Sequence, residues 1–474
     1  MLLLRPVPES ASIALANRGE AQRARSTSPS EDCLEAGGRL HGHYGRRSQP
    51  RARVNRRNAS ATVMLLLLSL TYLLSYYDRL LMSVLGETVK HEFLLSDRQL
   101  SLLTGASFII IYGTLGIAAG WLVDRVSRKW IIVTALLLWS LMTMACGMAQ
   151  SFLQLACARA GVGVGEATNV PAGLSALSDR FPYALRPMAC AIFYAGGMVG
   201  ILACFLCGTW IAAHYGWRMA FLAAGPPGVL AAALIAVCFR EPAREAPRRV
   251  ATHALPAANS FLTVWRNRPL RWLLFANAVG TFTNVGVVQW LPNFFLRSHH
   301  MSLRQVGLYF GPVLASGMLA GLLLGGWLGN RIASRSLSAL IWLCAWNMLA
   351  IIPLYVLMFW LPSLPAALAA TFVGTSVSVL YAPSVNAAWQ TICAPDARGT
   401  AAGVFSFANA IIGGAGCSFF VGALSDWLRP TLGVQSLRYA LTAGLGFCLV
   451  AALLFVIAAR LTAHGGRKLA VPAA

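Results

Sequence analysis

Acidic residues are scarce: the 474-residue chain has 16 Asp and Glu against 38 Lys and Arg, and only 11% of it is charged while 57% is hydrophobic. So little charge excludes a single large soluble core, because a chain this long and apolar has too few polar side chains to cover one. Other absences narrow the chemistry. There is no GxxxxGK[ST] phosphate loop and no HExxH pair, which argues against an ATP-driven pump or a zinc enzyme. Cys204 and Cys207 form a CxxC without a second pair, inside an apolar run. The eleven cysteines lie mostly in such runs, where thiols act as small hydrophobes, so no disulfide framework is implied. The "GVGVG" of residues 161–165 lacks the preceding strand that a dinucleotide loop needs. No metal and no cofactor is expected.

What is abundant is apolar sequence. Runs long enough to cross a bilayer, about 20 residues each, begin near Ala61, Ser101, Trp130, Ser151, Pro187, Met219, Arg271, Val306, Leu337, Leu364, Thr400 and Leu437. This predicts an all-α membrane protein of 12 transmembrane helices. The net charge of +22 does not point to nucleic acid, because its distribution follows topology. Eleven arginines precede residue 61, and 18 further Lys and Arg flank alternate connections and the C-terminal tail, against seven at the opposite connections. The positive-inside rule then places both termini in the cytoplasm of a cell with the protein in its inner membrane. Residues 1–60, rich in Arg, Ser, Gly and Pro, are expected to be a disordered basic cytoplasmic tail, and the run after Arg56 and Arg57 a retained first helix. The remaining boundaries are a first six-helix bundle at 61–240, a cytoplasmic linker at 241–270, a second bundle at 271–462 and a cytoplasmic tail at 463–474.

The two bundles are read from an internal repeat. "GWLVDRV" at 120–126 recurs as "GWLGNRI" at 326–332, "RPMACAIF" at 186–193 aligns with "RGTAAGVF" at 398–405, and Pro171 aligns with Pro383. Two homologous six-helix halves are the architecture of transporters that rock around a central site.

At these residues the chain resembles the major facilitator superfamily, whose helix 2–3 signature "GWLVDRVSRK" (120–129) matches. "YYDR" (76–79), "SDRQLSLL" (96–103), "RAGVGVGEA" (159–167), "GWRMAFLAAGPPG" (216–228) and "REP" (240–242) together resemble the Spinster branch, particularly its bacterial members. The resemblance implies proton-linked transport, with lysolipids and sphingoid phosphates among relatives' substrates. The anion:cation symporter branch, which shares the DR and GEA elements, is the nearest alternative and implies a small organic acid carried with protons. The resemblance also implies that Asp78, Arg79, Arg159 and Glu166 serve proton coupling or substrate binding, and that Asp124, Arg125, Arg128 and Lys129 act in gating. Arg331 repeats Arg125, but Asn330 replaces Asp124, which puts an equivalent second lock in doubt.

The residues themselves support the first of these expectations. A charge in a transmembrane helix costs at least ~2.5 kcal/mol and is paired or water-facing. Asp78, Arg79, Arg159 and Glu166 are such charges, all in the first half. Arg159 and Glu166 are seven residues apart and share a helix stripe; topology puts Asp78 and Arg159 at a similar depth, where they are expected to meet. Asp78 and Glu166 would carry the proton, with Arg79 and Arg159 exchanging partners between carboxylates and substrate. The plainer alternative is a static neutral cluster that joins two helices. Gly161 and Gly165 are expected to admit a neighbouring backbone and bring these charges together.

The second half offers neutral hydrogen-bonding groups. Asn277, Thr281 and Asn284 lie on one helix face, and Tyr381 and Asn386, with Gln289, Tyr309 and Gln390, add donors and acceptors. They are expected to contact substrate or to bond between helices. The partners implied are a small-molecule substrate, protons and the lipid bilayer, with the protein monomeric. A sensor or enzyme built on a transporter fold is the reading of a different class, and the short linker argues against it.

Overall fold

The computed structural model describes residues 50–181, 185–239, 264–393 and 398–466. The expected N-terminal tail before Pro50, the linker as far as residue 263 and the tail from residue 467 lie outside the described residues. The compact unit is Asn55–Ala474, and Met1–Val54 is a separate one.

Among the described residues twelve long helical passages follow one another, most of them broken into segments, with a short helix, Gly86–Phe93, after the first. In the first half they are α1 (Pro50–Val84), α2 (Asp97–Ser101 continued by Ser107–Arg125), α3 (Arg128–Met148), α4 (Phe152–Glu166 and Asn169–Arg180), α5 (Arg186–Ala203 and Thr209–Tyr215) and α6 (Trp217–Cys238). In the second half they are α7 (Arg268–Thr281 and Val288–Ser298), α8 (Leu303–Gln305 and Gly311–Ala333), α9 (Leu337–Trp360), α10 (Leu364–Leu380 and Ala382–Ile392), α11 (Arg398–Ala408 and Cys417–Leu432) and α12 (Ser436–Gly444 and Gly446–Gly466). Among the described residues eight stretches are apolar and long enough to cross a membrane, the last of which, Ala401–Ala463, holds most of α11 and α12. The passages outside those stretches, α2, α4 and α7, carry many of the polar residues of the site described below. α1 starts at Pro50, earlier than the apolar pattern suggests, because its first turns are arginine-rich but still helix-forming.

The halves meet along two seams, α2 with α11 and α5 with α8. Small residues make them possible. A Cβ on Gly105 would lie 2.7 Å from that of Ser418, and one on Gly307 or Gly311 would collide with Thr209 or Phe205. Each seam helix, and α7, contains a π-helical stretch: Leu102–Ala106, Cys204–Gly208, Phe282–Val287, Val306–Phe310 and Asn409–Gly416. One extra residue per turn shifts the face that follows, and such stretches concentrate at functional sites.

The "GWRMAFLAAGPPG" motif ties the first half together. Gly216, at φ +85°, makes the sharp turn between α5 and α6 that a side chain would strain. Trp217 then donates to Glu92 at 2.5 Å, while Arg218 pairs with the same carboxylate and donates to the Ala149 carbonyl at 3.1 Å.

Candidate transport site

Asp78 and Arg79 are consecutive on α1, so their side chains diverge by about 100°. The structure uses that divergence. Arg79 turns to α4, where its Nε donates to the buried Glu166 Oε2 at 2.6 Å, and Ser75, one turn earlier on the same face, donates to the same oxygen at 2.6 Å. The guanidinium also lies over the rings of Tyr112 (4.3 Å), Phe108 (5.3 Å) and Tyr76 (5.4 Å), a cation–π setting that tolerates partial desolvation. Asp78 turns instead to α3 and accepts from Thr143 at 3.2 Å. Arg159 is fully buried and donates to the main-chain carbonyl of Asp78 at 3.3 Å rather than to its carboxylate. The expected meeting of Asp78 and Arg159 therefore runs through the backbone of α1.

Four polar atoms in this cluster are buried without a partner: Nη2 of Arg79, Nε and Nη2 of Arg159, and Oε1 of Glu166. A buried polar atom left unpaired costs about 1–3 kcal/mol, so the cluster is under-bonded, with spare hydrogen-bonding capacity. The glycines of "RAGVGVGEA" contribute differently from expectation. A Cβ on Gly161 or Gly165 would press on Met142 or Trp139 of α3 at 2.7 and 2.8 Å, and one on Gly163 on the Phe108 carbonyl of α2 at 2.8 Å. They seat α4 against α3 and α2; close contact with α1 is made by Gly196 and Gly200 of α5, which abut the carbonyls of Ser69 and Leu73.

Between the two halves lies a cavity of about 320 Å³. Its first-half wall includes Tyr76, Arg79, Thr104, Phe108 and Tyr112; its second-half wall includes Thr281, Asn284, Gln289, Met318, Ser406 and Asn409. Arg79 is the one charged side chain in this lining, and Asp78, Arg159 and Glu166 stand behind it. Among the neutral groups, Thr281 and Asn284 reach the cavity, and Asn284 also donates to the Ser378 carbonyl at 2.7 Å. Asn277 sits one turn away and donates to Asn409 Oδ1 at 2.8 Å. Tyr381 is buried off the cavity, while Asn386 is exposed, bonding within α10 to the Ala382 carbonyl and the Trp389 indole. Gln289 reaches the lining with Oε1 buried and unpaired, whereas Tyr309 is 55% exposed away from it. Asn409 and Tyr112 were not singled out from sequence. A lone amide in the apolar run "FANAIIGG" was the available signal for Asn409.

Where α7 ends and α2 begins, an ion network ties the two halves together. Arg297, at the end of α7, grips Asp97 at the start of α2 through two bonds of 2.8 and 2.6 Å and reaches Glu87 at 2.7 Å. Asp97 is also paired with Lys90 and accepts from Ser425 of α11 at 2.6 Å. Asp426 caps the start of α2, accepting from the amides of Asp97 and Arg98 at 2.8 and 2.7 Å. Burial pushes the Asp97 carboxyl up, but the bonds and charge of Arg297, with Lys90, outweigh it and hold the group well below the usual carboxylate range. This latch was missed in sequence because its members lie some 200 and 330 residues apart.

At the other end, Arg128 pairs with Asp179 inside the first half, Lys129 lies 5.7 Å from the Trp130 ring and Arg331 4.7 Å from that of Trp327. The side chains of Asp124 and Arg125 lie outside the described residues.

Comparison with known proteins agrees with this fold. A sequence model of the Major Facilitator Superfamily matches residues 68–416. An "MFS-type efflux pump" of Mycolicibacterium smegmatis is 33% identical over 379 residues, covering 79% of this chain and 86% of that one. A "probable sulfoacetate transporter" of Cupriavidus necator is 28% identical over 279 residues, 56% of this chain and 64% of its own length. The crystal structure of a bacterial homologue of the human lysosomal transporter Spinster, "inward-facing and unoccupied", superposes with a TM-score of 0.76 at 26% identity, over 85% of this chain and 98% of that one. Twelve helical passages among the described residues, in two halves with a cavity between them, and these matches lead to one conclusion: the chain belongs to the major facilitator superfamily of membrane transporters, with a Spinster-like structure, and is not an enzyme.

Proposed function

We propose that this transporter moves an organic anion with an apolar part, coupled to protons, by alternating access. The observation that carries the reading is Arg79, the one charged group lining a largely apolar and aromatic cavity and at the same time the partner of a buried carboxylate. An anion entering the cavity competes with Glu166 for the guanidinium. A buried carboxylate that loses its counter-charge is neutralised by taking a proton, so anion binding and proton uptake become one event. Asp78, held by Thr143 next to the Arg159 bond to α1, is the second proton carrier, and Arg159 the second charge partner. Thr281, Asn284 and Asn409 supply hydrogen bonds from the opposite wall, with Asn277 orienting Asn409; Tyr381 and Asn386 contribute by packing α10.

The positive-inside distribution supports cytoplasmic termini and an inner-membrane location. On that topology the latch of Arg297 and Asp97 closes the outer face, and the state is inward-facing, like that of the bacterial Spinster homologue. Asp124, Arg125, Arg128, Lys129 and Arg331 then act at the cytoplasmic gate. The residue boundaries of the two bundles and their linker, and the monomeric state, belong to the same proposal. The alternative of a small organic acid is favoured by the sulfoacetate relative, whereas the apolar wall of Leu80, Ile109, Ile201, Val285, Leu314 and Met318 favours an amphiphile. A thermal-shift screen of purified protein against lysolipids and short organic acids separates them: stabilisation by short acids alone excludes the amphiphile.

A further inference from the structure

Beyond the central cavity, a second and larger one of about 710 Å³ opens beside the latch, where α7 ends and α2 begins. Its walls come from both halves: Glu87, Lys90, His91, Leu94 and Leu95 on one side, Leu296, Arg297, His300, Arg429 and Val434 on the other. Lys90 and Arg297 are committed to Asp97 and Glu87, and Glu87 also faces His91 at 3.4 Å. Arg429 and His300 have no acidic partner among the described residues, and both are exposed. Counting the three fixed cations against Glu87 and Asp97, the cavity is net positive before either histidine is protonated. Leu94, 89% exposed, and Val434, 64% exposed, give it an apolar rim.

We propose that this cavity binds a phosphate-type oxyanion, seated between Arg429, His300 and the spare donors of Lys90. The apolar rim and the volume fit an oxyanion that carries an apolar group better than a bare ion. Because the cavity is walled by both halves, it is complete only while that end is closed, so its ligand stabilises the closed state and slows the cycle. The site is independent of the transport cavity and of Arg79.

The test uses the full-length protein in detergent and in liposomes. The Tm of purified protein is measured against inorganic phosphate and, separately, against short-chain phosphatidic acid, with chloride at matched ionic strength as control, for wild type and for the Arg429→Ala, His300→Ala double variant. Neither residue belongs to the latch or the transport cavity, so the variant keeps its basal Tm and transport. A saturable rise in Tm in wild type, reduced at least fivefold in apparent affinity in the variant, and a matching slowing of transport support the site. A response to phosphate identifies a free anion as sufficient, whereas a response to phosphatidic acid alone identifies a lipid head group. Equal shifts in chloride, equal shifts in the variant, or no shift with either ligand overturn the proposal. A second variant, Arg429→Lys, guards against misfolding: it retains most of the response if charge at this position binds the anion.

Discussion

Arg79 on α1 and Glu166 on α4 meet at 2.6 Å, with the carboxylate fully buried and the guanidinium turned toward the cavity between the two halves. The pair has an inner partner sealed from water and an outer partner within reach of anything that enters. Breaking a buried pair by removing one side costs about 3–5 kcal/mol, so neither residue is expected to be silent.

Replacing Arg79 with Ala removes the cavity's cation and strands Glu166. Ligand affinity read from a thermal-shift titration should fall at least 30-fold, following the ~2–5 kcal/mol of truncating a desolvated charge pair. Arg79→Lys should recover only part of it, because an ammonium lacks the flat face that stacks on Tyr112. Unchanged affinity in Arg79→Ala would remove this residue from the site.

Asn409→Ala should weaken ligand binding about fivefold, the equivalent of one hydrogen bond of about 1 kcal/mol. Asn277→Ala should produce a smaller effect of the same sign, since it acts by holding the Asn409 amide at 2.8 Å. Isothermal titration on the two variants distinguishes them, and a larger loss for Asn277 would reverse the assignment.

The latch should be insensitive to pH across the working range. The carboxyl of Asp97 is depressed in the folded protein, so its contribution is fully present above the unfolded value of about 4 and is lost only as pH falls further toward the folded one. Spin labels at the exposed positions Leu94 and Val434 should report one short distance from pH 5 to 8 in wild type, and a population at longer distance in Asp97→Asn. A latch that opens in wild type between pH 8 and 5 would contradict this.

Gly200→Leu should prevent stable folding. A side chain there collides with the Leu73 carbonyl of α1, and overpacking against rigid backbone costs about 1–3 kcal/mol or more. Size-exclusion profiles of solubilised protein read the outcome, with a monodisperse wild-type-like peak as the contrary result.

How much of this was legible in the sequence follows from the range over which each feature is specified. Helix number and the twofold repeat depend on local apolar runs and on matched short motifs, and both were readable. The four membrane charges were readable too, because each stands out against apolar neighbours. Their pairing was not: Asp78 and Arg79 differ by one position, and which of them faces α4 depends on the rotation of α1, which Gly196 and Gly200 set by seating it on α5. The polar face of α7 reads as one regular stripe in the sequence; in the structure Asn277 and Thr281, before the π-helical stretch, both donate to Asn409, while Asn284, inside the stretch that begins at Phe282, lines the cavity and donates to the Ser378 carbonyl. The pairing of Arg297 with Asp97 was not legible, because nothing local marks a partner 200 residues away.

The most direct test of proton coupling through Glu166 is the proton movement that accompanies transport. Proteoliposomes containing a trapped pH indicator are given the ligand identified by thermal shift, and substrate flux and internal pH are recorded together for wild type and Glu166→Gln. The account predicts a pH change that tracks substrate flux in wild type. In the variant it predicts at most substrate exchange, with the coupled proton movement abolished. Proton-coupled transport by Glu166→Gln at the wild-type rate and stoichiometry would contradict it.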